Sequence, residues 1–505
     1  MMGYIAAFDI GTTNAKGVLV DKQGGLHQEH DVPMHTLLQG GWIEQHPEQW
    51  MEAVCTIADA WWSSGIHAHD IELITFSGQM QDFIPIRADG LPVRPAILYS
   101  DGRAAEQAER MIQELGHEGI FQVTGNALDG TSPLAKLLWM QEREAELDVK
   151  TAWYLISSKD YVIYHLTGQA VTDATTAATT GMMNLHIREW EADWLSRYAL
   201  DAKKLPPILA PEAVAGEVHP EAARMTGFRV GTKVLCGIGD AGATTIGAGV
   251  TAPGEMYGYI GTTGWIGMTS NQKLPAESRV FHLAHAADGV LIAVAPLLNA
   301  GNAHQWAVTT FGEGADGSNS AYQAFEEAVR AINRLENHVL FLPYLNGERS
   351  PIQDQQATGC FIGLKQATTK AMMGCAVLEG VAFAMKQVQQ QLGDGNALLK
   401  PLVLIGGGTK SPVWCQMIAD IFGVQVRVPQ DSQYLPALGA ASGGFIALGW
   451  VNSYTEFADQ YLSTAAAEVY TPDDALHTHY QRKFERYKSI YPSVKSLFIE
   501  NEESL

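Results

Sequence analysis

The segment AAFDIGTTNAKGVLV at residues 6–20 runs apolar, stops at an acid, turns through Gly-Thr-Thr and becomes apolar again. YIGTTGWIGMT at 259–269 repeats that turn half a chain later. The recurrence constrains the fold strongly, because the flanking runs have strand length and Gly and Thr are turn-forming, so both copies read as hairpins. The first copy has Asp9 ahead of its turn and the second has Tyr259.

The surroundings repeat as well. After the first hairpin, strands are expected at Ile71–Phe76 and Ala96–Tyr99 and helices at Pro47–Ala60, Gly102–Leu115 and Leu134–Glu146, where apolar residues recur at three- and four-residue spacing. Near residue 234, VLCGIGDAGATTIGAG passes from an apolar run through Gly-Asp into a small-residue helix, and a new hairpin spans Glu255–Thr269. LVLIGGG (402–408) reads as a buried strand ending in glycines, followed by a helix over Pro412–Phe422 and a strand at Val424–Val428; the last fifty or so residues look helical and polar. A chain of 505 residues exceeds what one core organises. The expectation is a duplicated, layered α/β protein joined near 245–255, with domains at 1–248 and 249–505.

A net charge of −22 disfavours nucleic acid and anionic membranes as partners, since both require clustered Lys and Arg. A small polyphosphate remains possible if its site is local, built from backbone N–H groups, a lone Lys and a divalent cation. The five cysteines are scattered without a metal or redox spacing and read as reduced thiols. No basic region followed by a long apolar stretch opens the chain and no uninterrupted apolar span reaches membrane length, so the cytoplasm is the expected compartment.

Gly11, Thr12 and Thr13 are phosphate-binding materials, a close backbone approach with hydroxyl donors beside turn N–H groups. Asp9 could hold a hydrated Mg²⁺ and Lys16 could add one positive charge. Against this stands an ordinary hairpin; two copies flanked alike favour loops that clamp a triphosphate from two domains. Asp240 opens a helix after Gly239, so it is either an N-cap or a general base for a substrate hydroxyl attacking a phosphoryl group, and the two roles are compatible. Gly406, Gly407 and Gly408 end a strand before a helix, which suits either a ligand or a tight packing turn.

Taken together, these segments resemble the FGGY carbohydrate kinases, two-domain relatives of the actin, hexokinase and Hsp70 ATPase fold, over essentially the whole chain. DIGTTNAKGVLVD is similar to the family's first phosphate loop, GWIEQHPEQW to its Trp-Glu-Gln-x-Pro-x-x-Trp segment, SDGR at 100–103 to its sugar-side loop, GDAGATTIGAG to its catalytic-base segment and YIGTTGW to its second phosphate loop. FLPYLNGERSP, GCFIGLKQATTKAMMGCAVLEG and LIGGGTKSPVWCQMIADIFG complete the set. The resemblance implies an actin-like (ribonuclease H-like) fold with duplicated α/β domains around a cleft. It implies Asp240 as base, Asp9 as magnesium organiser, and Gly11, Thr12, Thr13, Lys16, Gly261, Thr262, Thr263, Gly301, Gly407 and Gly408 around ATP, with adenine near Ser411.

Gln79, Met80, Gln81, Asp101, Arg103 and Asp240 are the implied substrate contacts, a surface ion pair being the alternative for Asp101 and Arg103. Within the family the xylulokinases are most alike, though their substrate loop reads Gly-Gln-Met-His where this chain has Gly78, Gln79, Met80 and Gln81, and Ser100 replaces the usual Asn. Met372 stands where a polar residue is expected, in a region assigned to structure; GMMNLHIREW (181–190) has a gluconokinase character, with Met182 and Met183 as core fillers. The implied reaction is ATP- and Mg²⁺-dependent phosphorylation of a ketopentose such as D-xylulose, with a gluconokinase or another polyol kinase as the alternative. An actin-like ATPase switch and a silent sugar sensor are the rivals from other classes. The partner is a small sugar or polyol, and a homodimer is compatible with the chain.

Overall fold

The computed structural model describes residues 3–312, 318–393 and 400–498. Tyr4–Ile10 (β1) and Asn14–Asp21 (β2) pair antiparallel from Tyr4↔Asp21 to Ile10↔Ala15. The strands reach closer to the turn than the apolar runs do, because Asp9 and Lys16 stand directly across from each other and continue the ladder. Leu26–Pro33 (β3) adds antiparallel to β2, and helix Glu48–Ser63 (α1) covers this layer with Trp50, Val54, Ile57 and Trp61 buried.

Ile71–Gly78 (β4) runs parallel to β1, and Val214–Glu217 (β5), Lys233–Leu235 (β6) and Ile238–Gly239 (β7) complete the sheet in the order β5-β6-β4-β1-β2-β3, with β7 also on β4. Phe8 of β1 stacks on Phe76 of β4 at 5.2 Å and leans on Trp61 at 5.1 Å, which fixes the β1–β4 register through aromatic burial. Both loops that follow these strands therefore leave the same sheet edge together.

The second unit repeats this pattern. Met256–Ile260 (β8) and Gly264–Ser270 (β9) form an antiparallel hairpin, β8 runs parallel to Leu402–Ile405 (β10), β10 parallel to Val426–Pro429 (β11), and Ala467–Tyr470 (β12) closes antiparallel on β11. Antiparallel, parallel, parallel from the hairpin inward is also the order β2-β1-β4-β6, so the repeated grammar is a repeated topology.

Several expectations shift. Ala96–Tyr99 shortens to a strand at Ala96–Ile97, which pairs with Trp42–Gln45 in a separate small sheet. The helix at Leu134–Glu146 divides into Pro133–Arg143 (α2) and Ala145–Lys150 at Glu144. The C-terminal helix Asp474–Val494 is present, but β12 precedes it; residues 499–505 lie outside the described residues. The chain first leaves unit one at Pro253, near the expected join, yet Thr269–Ala293 and Tyr434–Thr464 also belong to unit one. The physical reason is visible in the helix Leu435–Ala447, whose Gly439 lies so close to the Ala243 carbonyl that a Cβ there would sit 1.9 Å away. Helix Lys370–Leu392 is long and apolar enough to cross a membrane, although no such span was expected; 72% of its apolar window is buried inside the fold, as in an inner helix.

Candidate active site

In unit one, Asp9 stands one residue before the end of β1 and Asp240 directly follows β7, and both strands pair with β4. Asp9 is 9% exposed and accepts a 2.9 Å hydrogen bond from the Ser77 hydroxyl at the end of β4. Burial raises its pKa while that bond and the positive charge of Lys16 oppose the rise. Ser77 carries no signal in the sequence, where it is a lone serine two residues before Gln79.

Asp240 is the first residue of the helix Asp240–Gly247 (α3), and Gly239, without a side chain, is the N-cap. The capping alternative is thus replaced by a residue whose carboxyl sits partly buried at a helix N-terminus. Despite the favourable helix dipole, burial first and then the charge of Asp9 push its pKa up to about 7. The β7–α3 junction is braced from behind by Lys159, wholly buried, which pairs with Asp160 at 2.7 Å and Asp173 at 3.1 Å and donates to the Cys236 carbonyl at 3.2 Å.

Met80 lies against Gly239, since a Cβ on that glycine would come within 2.0 Å of the Met80 sulfur. The Gln79–Gln81 loop is therefore a neighbour of Asp240. Gln81 adopts a left-handed backbone (φ 63°) and donates its amide to the Thr131 hydroxyl at 2.8 Å. Gln79 is 1% exposed and spends its side chain on Thr12 and Gln45. Lys136 of α2, wholly buried, donates to the carbonyls of Gln81 (3.2 Å) and Leu98 (2.7 Å), tying this loop to the one that leads to Ser100. Burial, partly offset by Asp82 and Asp101, lowers the Lys136 pKa to about 8.

Asp101 and Arg103 form an ion pair, but not a surface one. Their side chains are 1% and 3% exposed, Arg103 makes 2.8 Å and 2.6 Å bonds to Asp101 and a 2.8 Å bond to Glu44, and its guanidinium lies 4.3 Å over Trp42. Burial would raise the Asp101 pKa, yet the bonds from Arg103 and from the Ile43 amide hold it lowered. The pair shapes the 100–103 loop from within. Tyr99, two residues before Asp101, is 43% exposed; burial raises its pKa and the charges of Asp240 and Asp82 add to the rise, which puts its ring among these groups. Its position at a strand end gave no chemical signal.

In unit two, Tyr259↔Trp265 occupies the hairpin position that Asp9↔Lys16 holds in the first. The two rings stack at 3.8 Å, so an aromatic staple replaces the carboxylate and the ammonium. Only the first hairpin can contribute a metal ligand. Gly261–Thr263 rests on the N-terminus of helix Gly301–Phe311 (α4): the Gly301 amide donates to the Gly261 carbonyl at 2.8 Å and the Asn302 amide to the Thr262 carbonyl at 3.0 Å. A Cβ at Gly301 would lie 2.2 Å from the Gly261 oxygen, so only glycine permits this contact.

Behind it, Glu348 (1% exposed) accepts from the amides of Leu298 and Arg349 at 2.6 and 2.9 Å and from the Asn299 side chain at 3.2 Å, with burial raising its pKa to about 7. Gly406 and Gly408 are close-packing positions against Ile260, whereas Gly407 is exposed with open space where a Cβ would point. Ser411 caps helix Pro412–Phe422, accepting from the Trp414 amide, and bonds Glu326 at 3.3 Å. The packing alternative thus accounts for two glycines of the run and leaves Gly407.

The described residues contain no group of three metal-ligating side chains. A cation that keeps waters and phosphate oxygens needs only one or two carboxylates, and Asp9, with one oxygen engaged by Ser77, fits that requirement.

Residues 4–247 match the model of the N-terminal domain of the FGGY family of carbohydrate kinases and residues 256–448 that of its C-terminal domain. The chain is 31% identical over 500 residues to the xylulose kinase of Bacillus subtilis, covering 98% of each chain. Among solved structures it is similar to a gluconate kinase from Lactobacillus acidophilus (28% identity, TM-score 0.88, 99% of each chain) and to a ligand-bound xylulose kinase from the same organism (28% identity, TM-score 0.87, 98% of this chain and 99% of the other).

Proposed function

The chain belongs to the FGGY family of carbohydrate kinases, with the actin-like ATPase fold, and from that premise we propose that it transfers the γ-phosphate of ATP to a hydroxyl of a ketopentose such as D-xylulose. Membership removes a sugar-independent ATPase switch as the alternative. The observation that carries the assignment of roles is Asp240, partly buried, pushed to about 7 and placed beside Met80. A base with a pKa near the working pH is matched to taking a hydroxyl proton.

In this reading the sugar hydroxyl gives its proton to Asp240 as its oxygen attacks the γ-phosphorus. The bond to the β–γ bridging oxygen breaks and ADP leaves. Met80, Gln81 and Tyr99 face the sugar, while Gln79, Asp101 and Arg103, spent on protein partners, shape the loops around it. The amides of Thr12 and Thr13 with Lys16, and in unit two those of Thr262 and Thr263, stabilise phosphate charge, the term that usually dominates such transfers, while Gly11, Gly261 and Gly301 permit the close backbone approach. Gly407 and Ser411 border the rest of the nucleotide. Asp9 would hold Mg²⁺, which supplies charge neutralisation on the phosphates. Five free cysteines support a reducing, cytoplasmic setting.

The second reading, an aldonate such as gluconate, is favoured by the gluconate kinase similarity. ADP release measured across pentuloses, hexuloses, polyols and aldonates decides. The expected result is the highest kcat/KM on D-xylulose; highest kcat/KM on gluconate would replace the substrate, and stimulation by no sugar would overturn the kinase assignment.

A further inference from the structure

The Trp-Glu-Gln segment contains a residue with no assigned role. Gln45, wholly buried at the end of the strand Trp42–Gln45, uses all its amide positions. Its Nε2 donates to the Thr12 carbonyl at 2.8 Å and the Thr36 hydroxyl at 3.0 Å, and its Oε1 accepts from Gln79 Nε2 at 2.9 Å and Trp50 Nε1 at 3.0 Å. The indole N–H can only donate, so it fixes which end of the Gln45 amide faces which partner.

Gln79 in turn accepts the Thr12 hydroxyl at 2.6 Å on its side chain, and its backbone N–H donates to the Ile10 carbonyl at 3.0 Å. Thr12, Gln79 and Gln45 thereby close a ring of three hydrogen bonds. The Thr12 hydroxyl has one proton and gives it to Gln79, so the ring holds that proton. A closed buried ring has one arrangement that satisfies every member, and breaking it anywhere leaves buried polar groups unpaired.

We infer that Gln45 and Gln79 are positioning residues that lock the first phosphate loop and the Gly78–Gln81 loop into one element, so that a sugar at one loop tightens nucleotide binding at the other. The inference rests on the roles proposed above for the two loops. Ordering either loop orders both, so the second ligand meets a loop already fixed, and linkage makes the effect reciprocal.

The test is calorimetric binding of a non-hydrolysable ATP analogue with and without D-xylulose, in the wild type and in Gln45→Leu and Gln45→Glu. Glu keeps the acceptor for Trp50 and Gln79 but loses the donor to Thr12, so it tests the ring while the Trp50 anchor stays. The wild type should bind the analogue about tenfold more tightly with sugar present, a typical coupling, and both variants should lose that difference. Hydrogen exchange without ligands should show the amides of 11–13 and 78–81 accelerating together in both variants. Equal coupling in wild type and variants, no coupling in the wild type, or faster exchange in only one loop would overturn the inference. If the wild type binds no sugar of the panel, the functional reading fails instead, and the exchange measurement still decides whether the loops are one element.

Discussion

Replacing Asp240 by Asn removes a charge and keeps the shape, and the structure gives the expected size of two effects. Folding raises the Asp240 pKa from an ordinary 3.8 to about 7. A group with a raised folded pKa binds its proton preferentially in the folded state, so its charge costs no stability in acid and the penalty grows as pH rises between those values. Three pH units at about 1.36 kcal/mol each put the full cost near 4 kcal/mol as an upper figure above pH 7. At pH 5 the carboxyl is mostly protonated in the folded protein, and the penalty falls by roughly 3 kcal/mol.

Asp240→Asn should therefore raise stability at pH 8 and give a much smaller gain at pH 5, read by denaturant unfolding without ligands. The same substitution should lower kcat by about 10²–10⁴, the usual contribution of a positioned base, with sugar and nucleotide binding retained. The acidic limb of kcat/KM in the unsubstituted protein should fall near pH 7. A variant with near-normal turnover would refute the base; a stability difference that does not change between pH 5 and 8 would refute the buried, charge-crowded carboxyl from which the base was argued.

Asp9→Asn should shift the Asp240 titration to lower pH, because Asp9 is the second cause of its elevation, and should raise the Mg²⁺ concentration needed for half-maximal rate; stability-versus-pH curves read the first without any metal. Gly301→Ala forces a Cβ to 2.2 Å from the Gly261 oxygen, and overpacking of this kind costs about 1–3 kcal/mol. Steady-state kinetics should show a higher ATP KM with an unchanged sugar KM. Lys136→Met leaves the Gln81 and Leu98 carbonyls without their buried donor, worth about 1–3 kcal/mol each, and should raise the sugar KM while sparing the ATP KM. Equal changes in both constants would show that Lys136 supports the unit generally rather than the two loops at Gln81 and Leu98.

The hairpins, a strand expected at 71–76 and found at 71–78, the helix at 412–422 and the glycine turn were legible in the sequence because their signals are local: alternation, spacing and turn residues act within a few positions. The duplicated topology followed from the same signals repeated. Asp9 and Asp240 stood out for the same reason, as carboxylates ending apolar runs. What tertiary structure alone decided is how long-range partners spend each polar group. It buried Asp101 and Arg103 against one another, committed Gln79 to Thr12 and Gln45, made Gly239 rather than Asp240 the helix cap, and returned Leu435–Ala447 to the first unit. Whether a side chain meets a substrate or another residue depends on burial and on neighbours that stand tens or hundreds of positions away, and no local spacing records them.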